Sequence, residues 1–156
     1  MRDKLLIFMT VVLLVSFAGC SNSNSYQKSL YNDDDKIAKQ GDSDTFTSRV
    51  ENTDENTLAL SFKGFYGKQT IWTITAEEDS TLDLEINAKV DNGDFKICLI
   101  NSASEVFIIS ENATKEPFVV HVPEGKNHIA IVGSNAKGEV EIKISDNEHV
   151  SLEVIE

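Results

Sequence analysis

The sequence is poor in cysteine, in positive charge and in long apolar stretches, and each scarcity excludes a class of protein. Two cysteines in 156 residues cannot build a disulfide-dense scaffold. Fourteen Lys and Arg residues against 26 Asp and Glu residues give a formal net charge of −12, which argues against a nucleic-acid-binding protein because phosphate contacts need a basic face. The most apolar stretch, residues 5–17, has 13 residues, whereas a helix that spans a bilayer needs about 20.

What the sequence does contain predicts one small folded domain. The apolar fraction of 40% is too high for a fully disordered chain, and domains commonly have about 100–150 residues. The chain shows no Gly-rich phosphate loop, no HExxH motif and no GxSxG motif. We therefore expect a protein that is not an enzyme, has no cofactor and does not bind nucleic acid.

The start of the chain has the layout of a secretory signal. Two basic residues precede the apolar residues 5–17, small residues come just before Cys20, and a polar run follows it. A charged start, a short apolar stretch and small residues at the cut together predict a signal peptide over residues 1–19.

The residues Phe17-Ala18-Gly19-Cys20 resemble the lipobox of bacterial lipoproteins, although that family usually has Leu where this chain has Phe17. The resemblance implies that the chain is cut before Cys20 and that the cysteine sulfur carries a diacylglycerol. The mature protein would then be anchored on the cell membrane, facing the extracytoplasmic side. Each buried CH₂ contributes about 0.8 kcal/mol, so two or three acyl chains hold a protein durably. An ordinary secretory signal with an incidental cysteine is the alternative.

Residues 20–55 predict a flexible acidic tether. Apolar residues are sparse there, and three consecutive aspartates at 33–35 resist compaction. Such a composition buries too little apolar surface to offset chain entropy, and residues such as Leu30 and Ile37 predict at most a short marginal helix. A random coil of these 36 residues would span about 30–35 Å, enough to lift a domain clear of the headgroups.

From residue 56 onward, apolar and polar residues alternate. Leu58, Leu60 and Phe62 form the first of nine such runs within residues 56–156, and Trp72 begins a later one. This period of two predicts half-buried strands, and Gly-containing clusters such as residues 91–94, with an Asn-Gly hairpin signal, predict the turns between them. We expect residues 56–156 to form an all-β domain, an antiparallel β-sandwich of about eight or nine strands with Trp72 in its core. The layout is similar to that of small extracellular β-sandwich modules, such as bacterial pre-peptidase C-terminal domains.

Two histidines near the second proline predict a candidate metal site. If residues 123–126 form a hairpin loop, His121 lies directly opposite His128, with Cβ atoms about 4.5–5.5 Å apart. Two imidazoles at that separation can share a Zn²⁺ or Cu²⁺ ion. The sequence names no third ligand, so a solvent-facing histidine pair is the alternative.

Two further positions have chemistry of interest. Phe65 and Tyr66 fall in a Gly-flanked cluster, where we expect an exposed aromatic pair that could bind a sugar ring or a partner. Cys98 alternates with Ile97 and Leu99, which predicts that it lies on the other face of its strand as a small semi-buried side chain without an intramolecular partner.

Together these patterns predict a lipid-anchored bacterial lipoprotein whose β-sandwich binds a protein or a glycan at the cell envelope without catalysis. Two alternatives remain at this point. One is a metal-handling protein that uses His121 and His128, and the other is a structural accessory subunit of an envelope complex.

The lipobox prediction is tested by Cys20→Ser. The variant is expected to lose acyl labelling by a palmitate analogue and to be released from the membrane or misprocessed, because no thioether can form at position 20. Cys98→Ala is the matched control, since it removes the other cysteine and should leave labelling intact. Unchanged processing and membrane retention of Cys20→Ser would contradict the lipobox assignment.

Overall fold

The computed structural model describes residues 25–145 and 147–155, so the predicted signal peptide and Cys20 lie outside the described residues. Most of the described part is β-structure, and within it no helix is long and apolar enough to cross a membrane. In chain order the elements are α1 (Ser25–Leu30), α2 (Asp34–Ile37), β1 (Ser43–Thr45), β2 (Ser48–Thr53), β3 (Thr57–Ala76), β4 (Ser80–Ile100), β5 (Val106–Glu111), β6 (Thr114–Val122), β7 (Gly125–Ile144) and β8 (Val150–Val154).

The eight strands form one antiparallel sheet that folds over itself into two layers, which confirms the predicted β-sandwich. Three long strands, β3, β4 and β7, each contribute one half to each layer. The first layer has the order β2, first half of β3, second half of β7, first half of β4, β6. The second layer places β1 and β8 beside the second half of β3, followed by the first half of β7, the second half of β4, and β5.

The long strands bend where the sequence predicts turns. The ladder shifts register near Gly67 and Gly93, and the strands continue on the far side of each shift. The predicted hairpin at Asn92-Gly93 is therefore wrong, and β4 runs through these residues. The reason is that a bulge uses the same positive φ as a tight turn, and φ of Gly93 is 72°.

A single apolar core lies between the layers and draws side chains from both halves of the long strands. On β4, Leu82, Leu84 and Ile86 are buried while the intervening residues are exposed, as the alternation predicts. Phe62 from the first layer stacks on Phe95 from the second, with ring centroids 4.9 Å apart. Trp72 is fully buried, which confirms its predicted place in the core.

The prediction of a flexible tether is wrong from Ser25 onward. β1 and β2 pair with β3, and residues 25–41, which we call the N-terminal segment, lie on the outer face of the second layer. Leu30 and Ile37 of this segment are buried, and Ile37 and Tyr31 pack with the side chains of Cys98, Ile100, Ala130 and Val132. The low average hydrophobicity of residues 25–41 did not indicate this contact, because most of its apolar side chains belong to the sheet.

The acidic run at residues 33–35 also has a structural role. Asp33 is the N-cap of α2, where its Oδ1 accepts a hydrogen bond from the Lys36 backbone N–H at 3.1 Å. The carboxylate also pairs with Lys36 Nζ at 2.8 Å. The charge and polarity that predicted a flexible tether therefore stabilise the start of α2.

The bend at Gly93 should not tolerate a side chain. A Cβ added there would lie 2.3 Å from the carbonyl oxygen of Asn135, whereas nothing lies within 4 Å of a Cβ added at Gly41, whose φ of 83° imposes similar backbone strain. Gly41→Ala should therefore cost only the left-handed strain of roughly 1–2 kcal/mol, and Gly93→Ala should cost about 2 kcal/mol more. Denaturant unfolding followed by the fluorescence of Trp72 measures both, and equal losses would contradict the bend geometry.

Candidate functional site

The two outer faces of the sandwich differ, and this difference locates the candidate site. Residues 25–41 cover the part of the second layer's outer face that contains Cys98, Ile100, Ala130 and Val132. On the outer face of the first layer, the outward side chains of β3, β4 and β7 are exposed, and no described segment lies over them. A ligand can therefore reach the first layer without displacing any described part of the protein.

A shallow groove of about 550 Å³ crosses this open face. The strand registers place two rows of side chains along it. One row contains Asn52, Ala59, Glu141, Asn87 and Lys115, and the next contains Thr57, Lys143, Glu85 and Pro117. A groove forms there because Thr57 and Ala59 on β3 have smaller side chains than Glu141 and Lys143 on the neighbouring strand β7. An adjoining hollow of about 380 Å³ shares four of these residues and extends the groove towards β2.

The groove offers hydrogen-bond donors and acceptors side by side. Asn87 Nδ2 donates to Glu141 Oε2 at 3.3 Å, which orients the amide beside a carboxylate. Lys115 and Lys143 supply ammonium donors, and Glu85 supplies a further acceptor. The volume lies within the range of small-ligand sites, but the described residues that line it include no aromatic ring. The groove therefore suits a polar ligand held by hydrogen bonds rather than one held by stacking.

Sequence reasoning did not single out these groove residues. Their only signal was the polar half of the strand alternation, which is the same for every solvent-facing position. The alternation identifies the outer faces of the strands, but it does not show which outer face is left uncovered.

The predicted aromatic pair is not exposed as a pair. Phe65 is fully buried and stacks on Phe46 with ring centroids 4.4 Å apart. Tyr66 is half-buried beside β1, and Lys28 Nζ lies 5.5 Å from the centroid of its ring. The prediction fails for Phe65 because this Gly-flanked segment is a bend inside β3, so alternate side chains still point into the core.

The predicted histidine pair does not form. His121 lies opposite Thr81 of β4 in the first layer, whereas His128 lies between β3 and β4 in the second layer. Residues 123–124 connect the two layers instead of closing a hairpin. Within residues 25–145 and 147–155, no group of three or more His, Cys, Asp or Glu side chains could hold a metal ion.

His128 has a different environment from the one expected. Its Nδ1 lies 3.2 Å from Thr73 Oγ1, and the ring is half-buried. Burial lowers the pKa of His128, and the positive charges of Lys68 and Lys126 lower it further. The ring therefore favours the neutral form and a structural hydrogen bond with Thr73.

A second hollow, apolar and of about 340 Å³, opens between the edge strands β5 and β6. Phe107, Ile108 and Val119 are 48%, 53% and 72% exposed beside it. We refer to this surface as the edge cleft. Exposed apolar side chains grouped in this way are typical of protein contact surfaces.

Beneath the N-terminal segment, Cys98 is fully buried, and it lies on the strand face opposite the main core as the alternation predicts. Burial raises the pKa of its thiol to about 12, so the thiol stays protonated and unreactive. Tyr31 lies in the same cluster, and its hydroxyl donates to Glu111 Oε1 at 2.8 Å. Burial and this acceptor raise the pKa of Tyr31 well above its ordinary value.

Two buried lysines hold the same segment in place. Lys68 Nζ donates to the Lys39 carbonyl at 2.8 Å and lies 3.8 Å from Asp42 Oδ1. Burial lowers the pKa of Lys68, and Asp42 opposes this effect. Lys96 Nζ lies 3.9 Å from Asp34 Oδ1, so each buried ammonium has a carboxylate partner, Asp34 within residues 25–41 and Asp42 directly after them.

Comparison with known proteins gives only distant structural likenesses. No protein-family model matches the chain, and no curated protein matches it. A variant of the carbohydrate-binding module CBM29-2 complexed with mannohexaose is 13% identical, with a TM-score of 0.40 over 72% of this chain and 82% of that one. A family 35 carbohydrate-binding module from an environmental isolate is 6% identical, with a TM-score of 0.39 over 77% and 94%.

An exo-β-1,3-galactanase from Phanerochaete chrysosporium with galactose is 13% identical to this chain, with a TM-score of 0.40 over 67% of this chain and 29% of that one. Likenesses at this level carry no functional residue across, so the site stands on its own geometry.

Cys98 and Tyr31, which lie in the buried cluster beneath the N-terminal segment, predict that the folded protein loses stability at alkaline pH. The unfolded chain ionises the Cys98 thiol near its ordinary pKa of 9.0, whereas the folded chain keeps it protonated to about 12. Because the folded pKa is the higher one, the free energy of unfolding should fall as pH rises through this window. The raised pKa of Tyr31 acts in the same direction.

Cys98→Ala should make the unfolding free energy less steeply dependent on pH above pH 9.0. Ile100→Val is the control, because it trims the same cluster without removing a titratable group. Chemical unfolding at a series of pH values measures both slopes. A wild-type slope retained in Cys98→Ala would contradict the assignment.

Proposed function

We propose that this protein is a lipid-anchored, non-enzymatic binding module of the bacterial cell envelope, and that the groove on its first layer binds a glycan. The observation that carries the proposal is the open polar groove on the face opposite the one that the N-terminal segment covers. The lipobox-like residues 17–20 support the anchor, and the absence of a catalytic motif from the sequence supports a binding role.

The chemistry of the groove favours hydroxyl groups as the recognised feature. A hydroxyl both donates and accepts, so it can pair with a carboxylate such as Glu141 and with an ammonium such as Lys143 at neighbouring positions. A strongly anionic ligand would meet Glu85, Glu116 and Glu141 together, which disfavours it. A protein partner would need an apolar centre to the contact, and the outward side chains of the groove are mostly polar.

The proposal predicts that two groove residues control glycan affinity. The double variant Asn87→Ala with Glu141→Ala should weaken binding at least about tenfold, because it removes an oriented amide and a carboxylate acceptor. Glu153→Ala is the matched control, since it removes an exposed carboxylate from β8 in the second layer. Binding of envelope polysaccharides to the detergent-solubilised full chain measures the effect.

Two outcomes would count against the glycan proposal. One is that no polysaccharide binds, and the other is that the double variant binds as the wild type does. If an envelope protein is captured instead and Val119→Lys in the edge cleft releases it, the accessory-subunit alternative replaces the glycan proposal.

A further inference from the structure

We infer that the side of the domain that carries α1 rests on the membrane surface, and that the groove faces away from the membrane. This inference rests on the lipid attachment proposed for Cys20. It concerns a contact surface formed by α1 and Tyr66, and its partner is the lipid headgroup layer.

The first argument is the length of chain between the anchor and the fold. The first described element, α1, begins at Ser25, whereas the composition predicted that the folded domain begins at residue 56. Five residues fully extended span at most about 18 Å, and the headgroup layer accounts for roughly 5–8 Å of that distance. A lipid on Cys20 therefore leaves about 10 Å of free reach, too little to lift the domain away from the bilayer.

The second argument is that α1 is fixed to the domain. Its residues cannot lengthen the connection between Cys20 and the domain unless α1 detaches and loses its contacts. Leu30 at its C-terminal end is 1% exposed. Gln27 Nε2 donates to Ser43 Oγ of β1 at 3.0 Å. The next residue after the helix, Tyr31, is buried and bonds to β5. The start of α1 is thus a defined point on the surface of the folded domain.

The third argument is the chemistry of α1. The whole chain is acidic, but residues 21–31 contain no Asp or Glu. Tyr26 is 40% exposed, and the exposed Lys28 lies beside the ring of Tyr66. Tyrosine rings combine an apolar body with a polar tip and suit the headgroup level, and lysine is attracted to anionic lipids.

The aspartates that follow α1 do not oppose this contact as strongly as their number implies. Asp33 pairs with Lys36, and Asp34 lies 3.9 Å from the buried Lys96 ammonium. Each of these two carboxylates therefore lies near a lysine of the protein, and of the three consecutive aspartates at 33–35 only Asp35 has no such ion pair among the described residues.

The direction of the groove follows from the layer order. The segment that contains α1 lies on the outer face of the second layer, and the groove lies on the outer face of the first. The two layers stand about 10 Å apart, with the core between them. A membrane that contacts α1 therefore leaves the groove open to the envelope space on the opposite side.

The test compares two variants of the lipidated full chain, each with one lysine replaced by a cysteine that carries a fluorophore. Lys28→Cys places a fluorophore on α1, and Lys89→Cys, the matched control, places it on the outer face of the first layer. Cys98 is buried and does not compete for the label. The proteins are reconstituted into vesicles of phosphatidylglycerol and phosphatidylethanolamine that contain a lipid with a nitroxide on its headgroup.

We expect the nitroxide to quench most of the fluorescence at position 28 and little of it at position 89. A Gly/Ser linker of about 20 residues inserted before Ser25 adds roughly 25 Å of mean span and should reduce quenching at position 28 to the level of the control. Equal quenching at both positions in a chain that carries its acyl label would overturn the orientation and leave the anchor intact. Absence of the acyl label would overturn the anchor itself, and with it this inference.

Discussion

The rest of the structure depends on two adjoining ladders of backbone hydrogen bonds, β3 with β7 and β7 with β4. Both ladders run through the bend from one layer into the other. β7 is the central strand of both layers, because its two halves pair with β3 on one side and with β4 on the other. The three strands bend at neighbouring positions, so the apolar side chains of both halves meet in one core. The main core therefore needs side chains from both layers.

The strand faces were predictable because alternation with period two is a local property. Leu82, Leu84 and Ile86 are buried for the reason that the sequence indicates. Whether Gly93 ends a strand or bends it was not predictable, since both need the same backbone conformation. The choice depends on β7, whose Asn135 carbonyl approaches Gly93 from far along the chain. The same limit explains His121 and His128, which are close in sequence but belong to different layers.

The open site depends on a segment that composition assigned to a tether. Leu30 and Ile37 are too few to predict a fold by themselves, but the second layer presents Ile100 and Val132 outward to receive such side chains. With this part of the second layer covered, the polar outer face of the first layer is the more accessible of the two. The candidate site is therefore decided by packing on the opposite side of the molecule, which no pattern within the groove residues could reveal.

The position of β7 along the chain has a consequence for how the protein forms. The central strand of both layers begins at Gly125, so a chain that emerges from its N-terminus has no complete layer until β7 has been made. Pairings such as that of Thr57 with Lys143 join residues far apart in sequence, and contacts of this kind make folding slow. Neither layer can therefore be completed, and the apolar core between them cannot close, before the residues of β7 have been synthesised.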